Sequence, residues 1–176
     1  MSAFLQIGGI LMLIDFHTHV FPDPIAKKAI PKLAAICGCP NQTDGTVSDT
    51  QEKMKAWGVD AFVLMHIATT PTQHTSVNNF AASIQKGNVF CFGSVHPRAQ
   101  DPIREIQRIH SLGLRGIKFH PDYQEFMVDD PQVFPLYEEA AGLGLPVLFH
   151  GGRDPLSANL VHAPSEKLAK IADQFP

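Results

Sequence analysis

"KAWGVDAFVLMH", Lys55 to His66, decides the fold. A helix-compatible stretch stops at Gly58, where a helix end needs a left-handed residue that glycine supplies without steric cost. An apolar strand, Ala61–His66, follows almost at once and closes on a histidine. A run apolar on both faces marks a strand buried in a parallel sheet and covered by helices. The same plan returns in "IQKGNVFCFGSVH", "HSLGLRGIKFH" and "AGLGLPVLFH", with Gly87, Gly113 and Gly144 in the place of Gly58. The strands predicted there are Val89–His96, Leu114–His120 and Pro146–His150.

The helices between them have matching starts. "DPIREIQRIHSLG" offers Asp101 as N-cap with Pro102 at the first helical position, and "DPQVFPLYEEAAGLG" repeats this with Asp130 and Pro131. The last segment, "APSEKLAKIADQFP", sets Leu168, Ile171, Ala172 and Phe175 at helical spacing, a stripe expected to pack on a sheet and to end near Gln174. With the opening strand, five strands alternate with five helices, which predicts an α/β fold. A doubly wound open sheet would carry a glycine-rich loop after its first strand, where "THVFPDP" stands instead. A (β/α)8 TIM barrel carries its chemistry at the C-terminal ends of its strands, where the histidines lie, so a TIM-barrel-like chain with about five βα units is expected.

The opening strand lies in the stretch "LIDFHTHVFP", Leu13 to Pro22, which stops at a proline. Alternation puts Asp15, His17 and His19 on one face of it and Phe16 and Thr18 on the other. Two imidazoles on one face can grip one metal ion. His66, His96, His120 and His150 close the later strands. A histidine ending one strand is ordinarily a satisfied polar residue at a sheet rim, but one barrel face would gather five around a single pocket. Lys118 shares a strand face with His120, and His150 precedes Gly151 and Gly152, which let the chain turn and make it the best third ligand. A nitrogen-rich set with one carboxylate suits zinc best, with manganese, iron or nickel as alternatives. An ion with an open position lowers the pKa of bound water to roughly 7, which is hydrolase chemistry. Asp15 lies deeper and is expected to support the ligands rather than bind. Arg153 and Asp154 form either a solvated loop pair or part of a substrate-binding loop, while Met54, Trp57, Phe62 and Phe80 read as core.

Composition narrows the partners. The chain has 176 residues, 44% hydrophobic and 18% charged, with a formal net charge of -3. It can build a core, and it has no basic stripe for a nucleic acid. A small-molecule substrate is expected. Three cysteines, Cys37, Cys39 and Cys91, read as free thiols in a reducing cytoplasm. The start "MSAFLQIGGILML" lacks a basic flank and the ~20 apolar residues of a membrane span, so no membrane association is expected. Residues 1–11 read as an N-terminal extension ahead of a domain over 12–176.

"DFHTH", "GIKFHPDYQ" and "LPVLFHGG", in that order, resemble the amidohydrolase superfamily, and within it the amidohydrolase-2 group of metal-dependent hydrolases related to aminocarboxymuconate-semialdehyde decarboxylase. The resemblance runs from about Met12 to the end. It implies a metal-dependent hydrolase, or a decarboxylase with the same site, acting on a small amide, ester or carboxylate compound. It also implies that His17, His19 and His150 are metal ligands, with Lys118 and His120 beside the substrate. Lys118 falls where binuclear relatives carry a carboxylated lysine, and a mononuclear site with Lys118 near the substrate fits equally. The group's late-strand histidine and aspartate have no counterpart, so the chain resembles the first five units of eight. A catalytically inactive fragment, self-associating through open strand edges or binding metal, is the alternative of a different class. A TatD-like nuclease fits less well, because the acidic chain offers no phosphate clamp.

Overall fold

The structure, a computed structural model, describes every residue except Met1, Gly8, Gly9, Leu156, Ala158 and Asn159, and describes residues 2–7, 10 and 11 by their backbone. The chain forms two compact units. One comprises Met1–Met65 and Ser83–Cys91, the other His66–Ala82 and Phe92–Pro176.

In the first unit β1 (Ser2–Ile7) lies antiparallel to β2 (Ile10–Thr18), with Ser2 opposite Asp15 and Ile7 opposite Ile10. The expected extension thus includes a strand, while its Met1, Gly8 and Gly9 lie outside the described residues. β2 runs parallel to β3 (Ala61–Met65), with a register shift between Asp15 and Thr18. β4 (Val89–Phe92) completes the order β1-β2-β3-β4. Helix α1 (Asp23–Cys37) ends at Gly38, whose φ of 64° is left-handed. Helix α2 (Val47–Ala56) is capped by Thr46, whose hydroxyl accepts the Asp49 N–H. All five residues of β3 are buried, as a parallel strand covered on both faces requires. Met54 and Phe62 join this core. Trp57 does not: it is half exposed at the α2 C-terminus, where the chain leaves the helix.

The second unit carries α3 (His74–Ile84), α4 (Pro102–Ser111), β5 (Ile117–Phe119), the single-turn α5 (Pro121–Gln124), α6 (Phe134–Gly142), β6 (Val147–Phe149) and α7 (Ser165–Gln174). Strands β5 and β6 are parallel and in register, Lys118 opposite Leu148. The helix ends are as the sequence predicts: Gly113 and Gly144 follow the caps of α4 and α6 with φ of 71° and 66°. Gly87 is also left-handed, in the turn before β4. Asp101 caps α4 and Pro102 opens it. Asp130 caps a 3-10 turn, Pro131–Val133, and the α-helix begins only at Phe134. Proline is the cause. Pro135 has no N–H to give the Pro131 carbonyl, which instead accepts from Phe134 in the tighter turn.

The strands are shorter than predicted, and side chains explain where they stop. After β4, Gly93 still bridges Ile117, but the Ser94 N–H donates to Asn78 Oδ1 at 2.8 Å and its carbonyl accepts from Asn78 Nδ2 at 3.0 Å. A side-chain amide has replaced the neighbouring strand. Ahead of β5, Leu114 N–H goes back to the Ile109 carbonyl, and Gly116 approaches its neighbours so closely that a Cβ there would lie 2.7 Å from the Pro146 carbonyl oxygen. On α7 only Ile171 of the predicted stripe is buried; Ala172 is exposed, and Phe175 packs edge-on against Phe134 and Tyr137 of α6 rather than on a sheet.

Candidate metal centre

Histidines stand just beyond four of the strands, as the sequence predicts, but as the first residue of each loop: His19 after β2, His66 after β3, His120 after β5 and His150 after β6. His96 lies further out, past the early end of β4.

In the first unit, His17 and His19 sit edge-on with ring centroids 5.1 Å apart, so they do share a side of the strand end. His19 Nδ1 lies 2.7 Å from the Met65 carbonyl oxygen. A carbonyl only accepts, so Nδ1 carries the proton and Nε2 is left with its lone pair, the tautomer a metal ligand needs. The Asp15 carboxylate accepts the His17 backbone N–H at 3.0 Å, fixing the chain that leads into His17.

The second unit gathers a denser group. His120 and His150 are stacked nearly parallel at 4.1 Å and 8°, and Tyr123 stacks on His120 at 3.7 Å and 7°. Two parallel rings so close must occupy opposite faces of His120, which is therefore held as the middle layer of three. Asp154 Oδ2 lies 3.7 Å from His120 Nε2 and 3.6 Å from His150 Nε2. One ligand atom from each of these three residues lies within 4.8 Å of the others. Asp154 and His120 are buried and His150 is half-buried.

Hydrogen bonds separate their roles. The Tyr123 N–H donates to His120 Nδ1 at 3.4 Å, so the His120 proton sits on Nε2. His150 Nε2 is buried with no hydrogen-bond partner. In a folded protein such an orphan calls for an explanation, and an ion is one. His120 thus presents an N–H toward the Asp154 carboxylate, beside the unpartnered Nε2 of His150.

Lys118 has no exposed surface, its Nζ is buried without a hydrogen-bond partner, and burial pushes its pKa down to about 8. Arg153 is exposed, while Asp154, one residue on, is among the buried acids. Four residues after His150, the Asp154 carboxylate turns inward to meet the two rings rather than standing in solvent. Burial, and then Arg98, hold the His96 pKa below its ordinary value, and its Nδ1 accepts the Arg98 N–H at 3.2 Å. His66 packs edge-on against Phe80. His162 meets the buried Asp122 with Nδ1 2.9 Å from its Oδ1.

Sequence reasoning missed the polar frame behind the cluster. Gln124, fully buried, accepts the His120 N–H at 2.9 Å and donates to the carbonyls of Ala68 and Val95, each at 2.9 Å. Ser94 donates to the Lys118 carbonyl at 2.9 Å and accepts the Ala68 N–H at 3.0 Å. One signal was present: "HPDYQ" puts a glutamine four residues after His120, one turn away on the same side of a helix.

Comparison with known proteins follows this geometry. The family model described as Amidohydrolase matches residues 14–176. No curated protein matches the chain. Among solved structures, 5-carboxyvanillate decarboxylase LigW from Sphingomonas paucimobilis is similar with a TM-score of 0.64 and 17% identity, over 94% of this chain and 65% of that one. The Metarhizium anisopliae IDCase in apo form gives 0.61 and 16%, over 82% and 52%. A 5-carboxyvanillate decarboxylase from Novosphingobium aromaticivorans with bound manganese gives 0.55 and 17%, over 92% and 54%. This chain thus spans between half and two-thirds of the length of these structures. Its architecture is α/β with parallel strands, part of a TIM-barrel-like fold. No helix among the described residues is long and apolar enough to cross a membrane.

Proposed function

The chain belongs to the amidohydrolase family, and on that premise we propose that it handles a small carboxylate, amide or ester compound with the help of a divalent transition metal. The observation that carries the reading is the His120–His150–Asp154 group, with its buried His120 and Asp154 and the buried, unpartnered Nε2 of His150. The donors fit such an ion. Within the second unit Asp154 sets a carboxylate oxygen beside the rings of His120 and His150, and within the first unit His19 offers Nε2 by virtue of its bond to Met65, with His17 beside it. A nitrogen-rich set with a carboxylate suits zinc or manganese. We assign metal binding to His17, His19 and His150, and count Asp154 as a further donor.

A bound divalent ion supplies Lewis acidity, polarising a substrate oxygen and acidifying water. The remaining groups belong to the chain. His120, with its proton on Nε2 and its ring clamped between Tyr123 and His150, is oriented to deliver that proton to a reacting atom. Lys118, whose ammonium burial brings down to a pKa of about 8, can hold or release a proton near that pH. The exposed guanidinium of Arg153 offers a fork for a substrate carboxylate. Asp15 holds the chain leading into His17 by accepting its backbone N–H.

Hydrolysis through a metal-activated water is the first reading, and decarboxylation is the second, supported by the similarity to two 5-carboxyvanillate decarboxylases. A reducing cytoplasm, no nucleic acid partner and self-association through strand edges complete the proposal.

Elemental analysis of purified protein, His19→Ala and His150→Ala tests the metal assignment. Near-stoichiometric metal in the parent and a loss of tenfold or more in affinity in each variant are expected. Full metal in His150→Ala would sink that ligand. Assays for carbon dioxide release from aromatic carboxylates, run beside amide and ester hydrolysis, separate the two reactions. Turnover on neither panel by metal-loaded protein would favour the inactive, metal-binding reading.

A further inference from the structure

Outside the metal centre, the end of α1 carries a second chemistry-bearing pair, Cys37 and Cys39, both exposed and both free thiols. Gly38 between them has φ 64° and ψ 22°. Those angles wind the chain like a helical turn of opposite hand, which places Cα atoms two residues apart at roughly 5.4 Å. A disulfide needs a Cα separation of about 4.4–6.8 Å, and an extended residue at the same place would stretch the span to roughly 6.7 Å, the upper limit. The backbone is held in the closed geometry, because the N–H groups of Gly38 and Cys39 both return to the Ala34 carbonyl. The Cys39 thiol already points back, with Sγ 3.4 Å from the Cys37 carbonyl oxygen. Cys91 is unlike them: it is fully buried, and burial pushes its thiol up to about 12.

We propose that Cys37 and Cys39 form a thiol–disulfide exchange site whose co-reactant is a small-molecule disulfide. The thiolate of one cysteine attacks the co-reactant, forming a mixed disulfide and releasing one thiol. The thiolate of the second then attacks the cysteine sulfur of that mixed disulfide, closing the Cys37–Cys39 bond and releasing a second thiol. The protein dithiol is oxidised by two electrons, the co-reactant disulfide is reduced to two thiols, and the two cysteine protons leave with them. A ring closed across one intervening residue is a tight one. Exposed, tight disulfides are the labile kind, more easily reduced than structural bridges, so the pair serves for reversible exchange rather than for stability.

The test uses the full folded chain with oxidised glutathione, acid quenching, and mass analysis of the tryptic peptide that contains both cysteines. The expected product has lost two hydrogens and carries no glutathione, while Cys37→Ser and Cys39→Ser each keep one stable glutathione adduct. Gly38→Val, which disfavours the left-handed turn, should lower the closed fraction roughly tenfold. Stable glutathione adducts on the parent chain, failure of either single variant to be modified, or unchanged closure in Gly38→Val would each overturn the proposal. Cys91 remains unmodified throughout and serves as the internal reference.

Discussion

Strands β3 and β6 are written alike, apolar runs over Ala61–Met65 and Val147–Phe149 that each stop one residue before a histidine, yet every residue of the first is buried and every residue of the second is half-exposed. The difference lies in their neighbours. β3 has β2 on one side and β4 on the other, whereas β6 pairs with β5 alone among the described residues. A parallel strand reaches full burial only when strands flank it and helices cover both faces. An apolar sequence specifies a strand that wants that environment; it does not supply the environment.

The largest effect should come from emptying the enclosed strand. Leu64 has no exposed surface, so Leu64→Ala should cost about 3–5 kcal/mol, read from urea denaturation. Such a loss would place β3 at the centre of its unit's stability, and a cost below about 1 kcal/mol would contradict that.

Next comes β5, between the two cases. Its Lys118 ammonium has a folded pKa depressed to about 8 from an ordinary 10.5. Below pH 8 the folded state must hold a charge it disfavours. Between about pH 8 and 10.5 the unfolded chain binds the extra proton, so this group adds stability as pH rises through that window. In metal-free protein, Lys118→Met should therefore be the more stable at pH 7, by about 3 kcal/mol, with the gap closing toward pH 10.5. A constant gap across that range would show that desolvation of the amine is not its origin.

The smallest change sharpens the contrast. Leu148 is half-exposed on the free strand, and Leu148→Ala should cost only about 1 kcal/mol. Should it cost as much as Leu64→Ala, the edge is covered in solution. Light scattering on the same sample would then reveal the covering copy as a doubled mass.

Local signals were legible because their physics is local. Gly113 and Gly144 are left-handed since a helix must be left by such a residue, and Asp101 caps α4 since its own carboxylate can reach back to the helix. The histidines beyond the strands were legible for the same reason, as each is the next residue after an apolar run. What stayed hidden depends on partners far away in the chain. Nothing near Ser94 announces that Asn78 will occupy both of its backbone groups and end the strand. Asp154 reads as one of a solvated pair until the stacked rings of His120 and His150 show what it faces. Trp57 reads as core by its size and lies exposed because its helix ends there.

The three bonds of Gln124 have a consequence for anyone who would re-engineer this molecule. One carboxamide fastens the turns that follow β3, β4 and β5, at Ala68, Val95 and His120. These turns are where loop grafting would ordinarily begin. They form a single mechanical part with one shared bolt, and a graft that displaces any of the three attachment points will be felt by the other two. Turn exchange here should be attempted as a cassette of all three with the glutamine retained.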